Sequence, residues 1–302
     1  MSLDRYLKQA DKALERQAKA TEREMIRIYS RALKEIRKKM AEIYDRLGDR
    51  VDYAEMVKYR RLEHLEDEVK EILRGLTNKN AQTLRRSLTD QYTESYFRTA
   101  FALEKEVQAK LSYTRVDPKV VWAAVQMPIS GASLNERVRQ RGNDLFFRVK
   151  EEIVQGLIQG ESYGAMSRRL KNRLEIDTRR AITMARTESH RIQMAARLDS
   201  MIHAEEMGVR MKKVWVATLD DRTRDAHQEL DGVAVGVDED FTSPTGATGP
   251  APGQMGSPED DINCRCTFRI EVEGFEPKVR RVRGEGVIPH TNYEEWRQDR
   301  VS

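Results

Sequence analysis

The donors best suited to hold a metal in this chain are His227 and the pair Cys264 and Cys266, because imidazole and thiolate are the ligands zinc prefers, with Asp220, Asp221 or Asp231 as a possible fourth. The spacing argues the other way. Structural zinc sites usually draw cysteines from pairs two to four residues apart, whereas Cys264 and Cys266 occupy alternate strand positions in one apolar row with Phe268 and Ile270. Packing as small buried hydrophobes is therefore the preferred reading, with reduced thiols and no cofactor expected. A second group, Arg186, Glu188, Asp220, Arg222 and Arg224, could grip phosphate or carboxylate through arginine, with Glu188 as a base. Its plainer reading is an ion-pair network that locks a long helix onto a sheet, with His227 capping or touching that sheet. DNA contact is a third chemistry. Of the basic tracts Arg137 to Arg141, Arg179-Arg180 and Lys278 to Arg283, the last is the best candidate. There Lys278, Arg280, Arg281 and Arg283 meet no acidic neighbour before Glu285.

These residues need elements to position them, and the apolar spacing supplies helices first. Ile26, Tyr29, Leu33, Ile36, Met40, Ile43 and Leu47 step by three and four on a helix that Gly48 can end. A second stripe runs from Leu62 through Leu65, Val69 and Ile72 to Leu76, then meets the polar break at residues 77–80. A third runs from Leu84 through Leu88, Tyr92, Tyr96 and Leu103 to Val107. Three such helices should pack as a hairpin or bundle. Asp117-Pro118 and the capping box Ser133 to Glu136 open two further helices, the second reaching about Gln159 and stopped by Gly160. Ser162 is expected to cap a short helix and Asp177 a long one from Thr178 to Met207, ended by Gly208.

After Gly208 the period drops to two. Val214 and Val216 alternate with Trp215 and Ala217, a short helix is expected over residues 223–230, and VAVGV reads as a strand after the Asp231-Gly232 turn. Residues 242–258, rich in Gly, Pro, Ser and Thr, are expected as a mobile loop, and residues 263–272 as a strand. The fold class predicted is mainly α, with a small α+β C-terminal domain in which a helix packs on a small sheet. Its divisions are a long-helix bundle or stalk over 1–115, a helical connector over 116–177, the α+β domain over 178–273, and a basic tail over 274–302 anchored by Trp296.

Composition agrees with a thin helical part: 39% of the 302 residues are hydrophobic and 34% charged, more solvated surface than a compact globule needs. The net charge of +4, from 54 basic and 50 acidic residues, is too balanced to identify a nucleic-acid binder. No apolar run approaches the ~20 residues of a membrane span, and the opening residues are charged where a signal peptide would be apolar, so a soluble protein made in the cytosol is expected.

The ordered set from Met184 to Phe268 resembles the phage Mu F-like family of head morphogenesis, or minor capsid, proteins. It comprises Arg186-Thr187-Glu188, then the strand with Trp215, then Asp220, Arg222, Thr223, Arg224 and His227, the turn Asp231-Gly232, and Asn263-Cys264-Arg265-Cys266. The resemblance implies a structural protein of a tailed-phage head, present in a few copies inside the virion near the portal and incorporated during procapsid assembly in the host cytoplasm. The portal protein is the partner expected. Scaffold or major capsid protein and genomic DNA are further candidates, and no membrane is involved. The alternative is a virion-carried nuclease or nucleotide-modifying enzyme using Arg186, Glu188, Arg224 and His227; the absence of a Gly-rich phosphate loop, a paired metal-binding carboxylate motif and an HExxH helix weighs against it.

Overall fold

The computed structural model describes residues 3–48, 51, 53–129, 131–218, 220–273, 279–282 and 286–289. Helices α1 (Leu3–Leu47), α2 (Tyr53–Lys58), α3 (Arg61–Val107), α4 (Pro118–Gln126), α5 (Leu134–Ile158) and α6 (Tyr163–Glu206) come first. Strand β1 (Met211–Val216), α7 (Asp225–Glu229), β2 (Ala234–Gly236), β3 (Phe241–Thr242), β4 (Thr248–Gly249), α8 (Pro258–Asp261) and β5 (Thr267–Val272) follow, then β6 (Val279–Val282) and β7 (Gly286–Pro289). The chain divides into two compact units. One is drawn from Met1–Ala18, Leu88–Gly131 and Arg186–Ser302, the other from Lys19–Ser87 and Ala132–Ala185.

In the second, all-helical unit the long helices pack together through apolar rows. The buried row of α1 is Met25, Ile28, Tyr29, Ala32, Ile36, Met40 and Tyr44; it shares Tyr29, Ile36 and Met40 with the stripe expected, while Leu33, Ile43 and Leu47 are half-buried and Ile26 is exposed. The expected polar break at 77–80 does not interrupt α3, because its polar groups find partners without unwinding the backbone. Thr77 Oγ1 donates to the Leu73 carbonyl at 2.9 Å, Asn80 is buried, and Thr77 lies where a Cβ on Gly142 of α5 would strike it. Likewise Asp177 does not start a helix. It sits within α6 and pairs with Arg173 at 3.0 Å. The expected signals hold at α4, where Asp117 accepts from Lys119 N at 2.8 Å, and at α5, where Ser133 and Glu136 form the reciprocal box. Gly48 and Gly208 follow their helices at φ +90° and +91°, in the left-handed conformation that glycine adopts without a Cβ clash.

The first unit carries the sheet, ordered β2-β1-β5 and antiparallel throughout, with Trp215 opposite Phe268 and Val214 opposite Ala234. Strand β5 begins at Thr267 rather than near Asn263: Cys264 and Cys266 precede it and pack with Trp215 and Phe241, not in the row of Phe268 and Ile270. The strand buries Phe268, Ile270 and Val272 in the alternation expected. They share a core with Met194, Leu198 and Met201 of α6 and with Leu3 and Leu7 of α1, so the chain's first helix turn and its last described core strand close one hydrophobic cluster. Residues 242–258, expected as a mobile loop, contain the β3-β4 hairpin and bury Ser243, Ala251 and Met255. The physical reason is that Gly249 admits the Gln254 carbonyl where any Cβ would collide with it, so the glycines serve close packing.

Candidate functional site

Three of the motif residues, His227, Cys264 and Cys266, converge where α7, the α8 turn and the segment ahead of β5 meet beside Trp215. Helix α7 starts after Arg224 and presents His227, which is 1% exposed. The chain leaves α8 through Asn263 at φ +56°, a turn residue type that tolerates that conformation, and this brings both thiols back toward the ring. His227 Nδ1 lies 3.4 Å from Cys266 Sγ and 3.8 Å from Cys264 Sγ. Its other nitrogen, Nε2, meets Asp260 Oδ1 at 3.2 Å. Asp260 is fully buried and is held by the Ser243 hydroxyl at 3.0 Å and the Thr245 hydroxyl at 2.9 Å. Trp215 and Phe241 wall the site, with the Trp215 and His227 ring centroids 5.5 Å apart.

The electrostatics are those of a coupled trio. The hydrogen bond with Cys264 holds the Cys266 thiol well below its ordinary range against the cost of burial, and His227 pulls in the same direction. Cys264 is pushed up by the same bond and by burial. Burial pulls His227 down, but Cys266 and Asp260 outweigh it and leave the ring raised. The arrangement can hold a thiolate beside an imidazolium, or two thiolates and an imidazole around a cation.

The remaining motif residues make separate contacts. Asp220 accepts from Arg265 Nη2 at 2.7 Å and from Arg222 N at 3.0 Å, and the Arg265 bond keeps its carboxyl well below the usual carboxylate range. Thr223 Oγ1 donates to the Thr218 carbonyl and Arg224 to the Ile262 carbonyl. Asp231 Oδ1 accepts from Ala217 N at 2.8 Å, and Gly232, at φ +85°, donates to the Trp215 carbonyl at 2.9 Å. Thr187 Oγ1 accepts from Asn263 N at 3.1 Å, tying α6 to the turn before the cysteines. The single cluster expected around Glu188 is corrected at its centre: Glu188 is fully buried and pairs with Arg191 at 3.0 Å, while Asp220 pairs with Arg265. Arg186 is exposed.

Sequence reasoning missed the buried cations. Arg191 donates to the Ala124 carbonyl at 2.9 Å, and Arg197 to Thr267 Oγ1 at 3.0 Å, the Phe268 carbonyl at 3.2 Å and Asp11. Lys213, wholly buried, donates to the Val237 carbonyl at 3.0 Å and lies 5.5 Å from the Phe241 ring centroid. The available signal was position: Arg191 stands three residues before Met194 and Arg197 four before Met201, within the apolar period of α6. His190, also missed, has its pKa pushed down to about 4 by burial, helped by the charge of Arg197 and His227.

Of the basic tracts, Arg137 donates to the Ala132 carbonyl at 3.1 Å, Arg141 is half-buried beside Tyr29 and Asp177, and Arg180 lies 3.8 Å from Asp177. Lys278, Arg283 and Trp296 lie outside the described residues. Arg280 and Arg281 fall on β6, opposite Ile288 and Val287 of β7.

Residues 148–269 match the family described as Phage Mu protein F like protein. The chain belongs to this phage Mu F-like family of head proteins. Over 297 residues, 96% of this chain and 96% of the relative, it is 34% identical to Minor head protein GP7 of Bacillus phage SPP1. It is 29% identical over 282 residues to NAD(+)-arginine ADP-ribosyltransferase EFV of Enterococcus faecalis, a match that spans 93% of this chain but 58% of that protein. An uncharacterized protein of Haemophilus influenzae is 21% identical over 188 residues, 62% of this chain and 37% of its own length. No solved structure matches.

Proposed function

We propose that this chain is a minor structural protein of a tailed-phage head, acting at the portal during procapsid assembly and DNA packaging, by binding rather than turnover. The observation that carries the reading is the end-to-end match to a minor head protein, 96% of both lengths. A second support is how the motif residues are used: Glu188, Asp220, Arg224 and His227 are each bonded within the fold, which suits positioning better than substrate contact. No helix among the described residues is long and apolar enough to cross a membrane. The protein's place is then inside the virion near the portal, reached from the host cytoplasm during assembly. Scaffold or major capsid protein are secondary partners, and the Lys278, Arg280, Arg281 and Arg283 tract is a contact for packaged DNA.

An enzymatic reading has one observation in its favour, the transferase name of the Enterococcus relative. The chain spans 58% of that protein, so the name also covers sequence with no counterpart here. The test is co-expression with the tagged portal protein of the same phage or prophage. The proposal expects the chain to co-purify with the portal at a fixed ratio that survives gel filtration. Complete separation of the two, together with turnover of NAD or cleavage of DNA by the purified chain, would replace it with the enzymatic reading.

A further inference from the structure

We propose that His227, Cys264 and Cys266 form a zinc site that fastens α7 and the segment ahead of β5 to one point beside Trp215. Two independent features of the geometry point to a cation. First, the three donor atoms lie within 4.8 Å of one another, with Nδ1 to Sγ separations of 3.4 and 3.8 Å. A tetrahedral ion with Zn–S near ~2.3 Å and Zn–N near ~2.0 Å holds its donors roughly 3.5–3.8 Å apart, so both nitrogen–sulfur separations already lie close to that spacing. Second, the histidine is oriented from behind. The Asp260 carboxylate, fixed by Ser243 and Thr245, takes the Nε2 hydrogen and leaves the Nδ1 lone pair facing the thiols. That carboxylate–histidine relay is the usual outer shell of a metal-bound imidazole. If the cysteines are merely small hydrophobes, the fully buried Asp260 carboxylate and the buried Ser243 hydroxyl carry a desolvation cost and orient a ring that binds nothing.

The structure also decides between the donors that sequence alone leaves open. Among the described residues no carboxylate joins the three-donor group: Asp220 is engaged with Arg265 and Asp231 with Ala217 N. Three protein donors leave a tetrahedral ion one position for water. The separation of Cys264 from Cys266 by a single residue ceases to be an objection, because the left-handed turn at Asn263 and the Asp261 carbonyl, which accepts from Cys264 N at 3.2 Å, bend the segment ahead of β5 so that both sulfurs reach the same ring nitrogen. Binding releases thiol protons and forms two Zn–S bonds and one Zn–N bond, with no change of oxidation state.

The experiment is elemental analysis of the full-length chain, purified under reducing conditions with any histidine tag removed, followed by cobalt titration of the chelator-treated protein. Expected are close to one zinc per chain, a thiolate-to-cobalt charge-transfer band at one equivalent, and a melting temperature that falls with chelator and returns with zinc but not magnesium. The Cys264→Ser, Cys266→Ser double substitution should abolish both metal content and the cobalt band. Should that variant fail to fold, the cobalt spectrum of the unaltered chain decides alone. Sub-stoichiometric zinc after reconstitution with no charge-transfer band, or a Cys264–Cys266 disulfide in protein from a reducing cytosol, would overturn the site.

Discussion

The two units bury different things. Among the described residues of the helical unit, the buried polar side chains are Thr21 and Asn80, both uncharged, and its ion pairs, such as Lys150 with Glu66, lie nearer the surface. The unit with the sheet buries Glu188, Arg191, Arg197, Lys213, Asp231, Asp260 and Asp261. Apolar stripes specify that helices pack but tolerate small rotations, as the partial overlap of the expected and buried rows of α1 illustrates. Buried charges with directional partners tolerate very little, because each misplacement leaves a desolvated group unpaired. The residues that carry the family likeness therefore sit in the unit whose geometry is fixed most stringently.

The comparison breaks most readily at Glu188. Replacing it by alanine leaves the charge of Arg191, which is 2% exposed, with backbone carbonyls but without the Glu188 carboxylate, and should cost about 3–5 kcal/mol in urea unfolding; a loss below about 1 kcal/mol would show that buried charge does not govern the first unit. Leu84→Ala, at a fully buried position of the helical unit, should cost about 2–5 kcal/mol by loss of apolar contact. The cobalt titration of the proposed His227, Cys264 and Cys266 site should be unaltered in this variant, and a coupled loss of it would merge the two units energetically.

Lys213 tests the same point through pH. Burial lowers its pKa to about 8 although Asp240, Asp238 and Glu239 oppose the shift. Because that is below the value of about 10.4 in an unfolded chain, the unfolded state holds the extra proton between those values, so stability should rise as pH increases from about 8 to about 10. Melting curves across that range should show the rise in the parent and a flatter profile in Lys213→Met; equal slopes would remove the buried charge from the account. The smallest effect is expected at the rim. Asp220→Asn breaks a half-exposed pair with Arg265 and should cost about 0–1 kcal/mol, measured in the same urea experiment.

What the sequence made legible was local. The capping box at Ser133, the Asp117-Pro118 start, the glycine stops and the alternation of β5 each depend on neighbours a few residues away, and the structure has them as read. The breaks expected at residues 77–80 and at Asp177 did not occur, because their polar side chains found partners within a turn of the same helix or by burial against another. The site was half legible for the same reason. His227, Cys264 and Cys266 stand out by type, but Asp260 falls between the expected loop and the expected strand with no signal of its own, and only the tertiary fold carries it behind the histidine.

The most direct test of the central claim is quantitative mass spectrometry of purified procapsids and DNA-filled heads from the phage or prophage that encodes this chain, normalised to the portal subunit. A structural head protein should be present in procapsids at a low ratio to the portal that stays fixed between preparations. Absence from both particles would contradict that role and would make the surroundings of Glu188 and His227 an active site to be assayed.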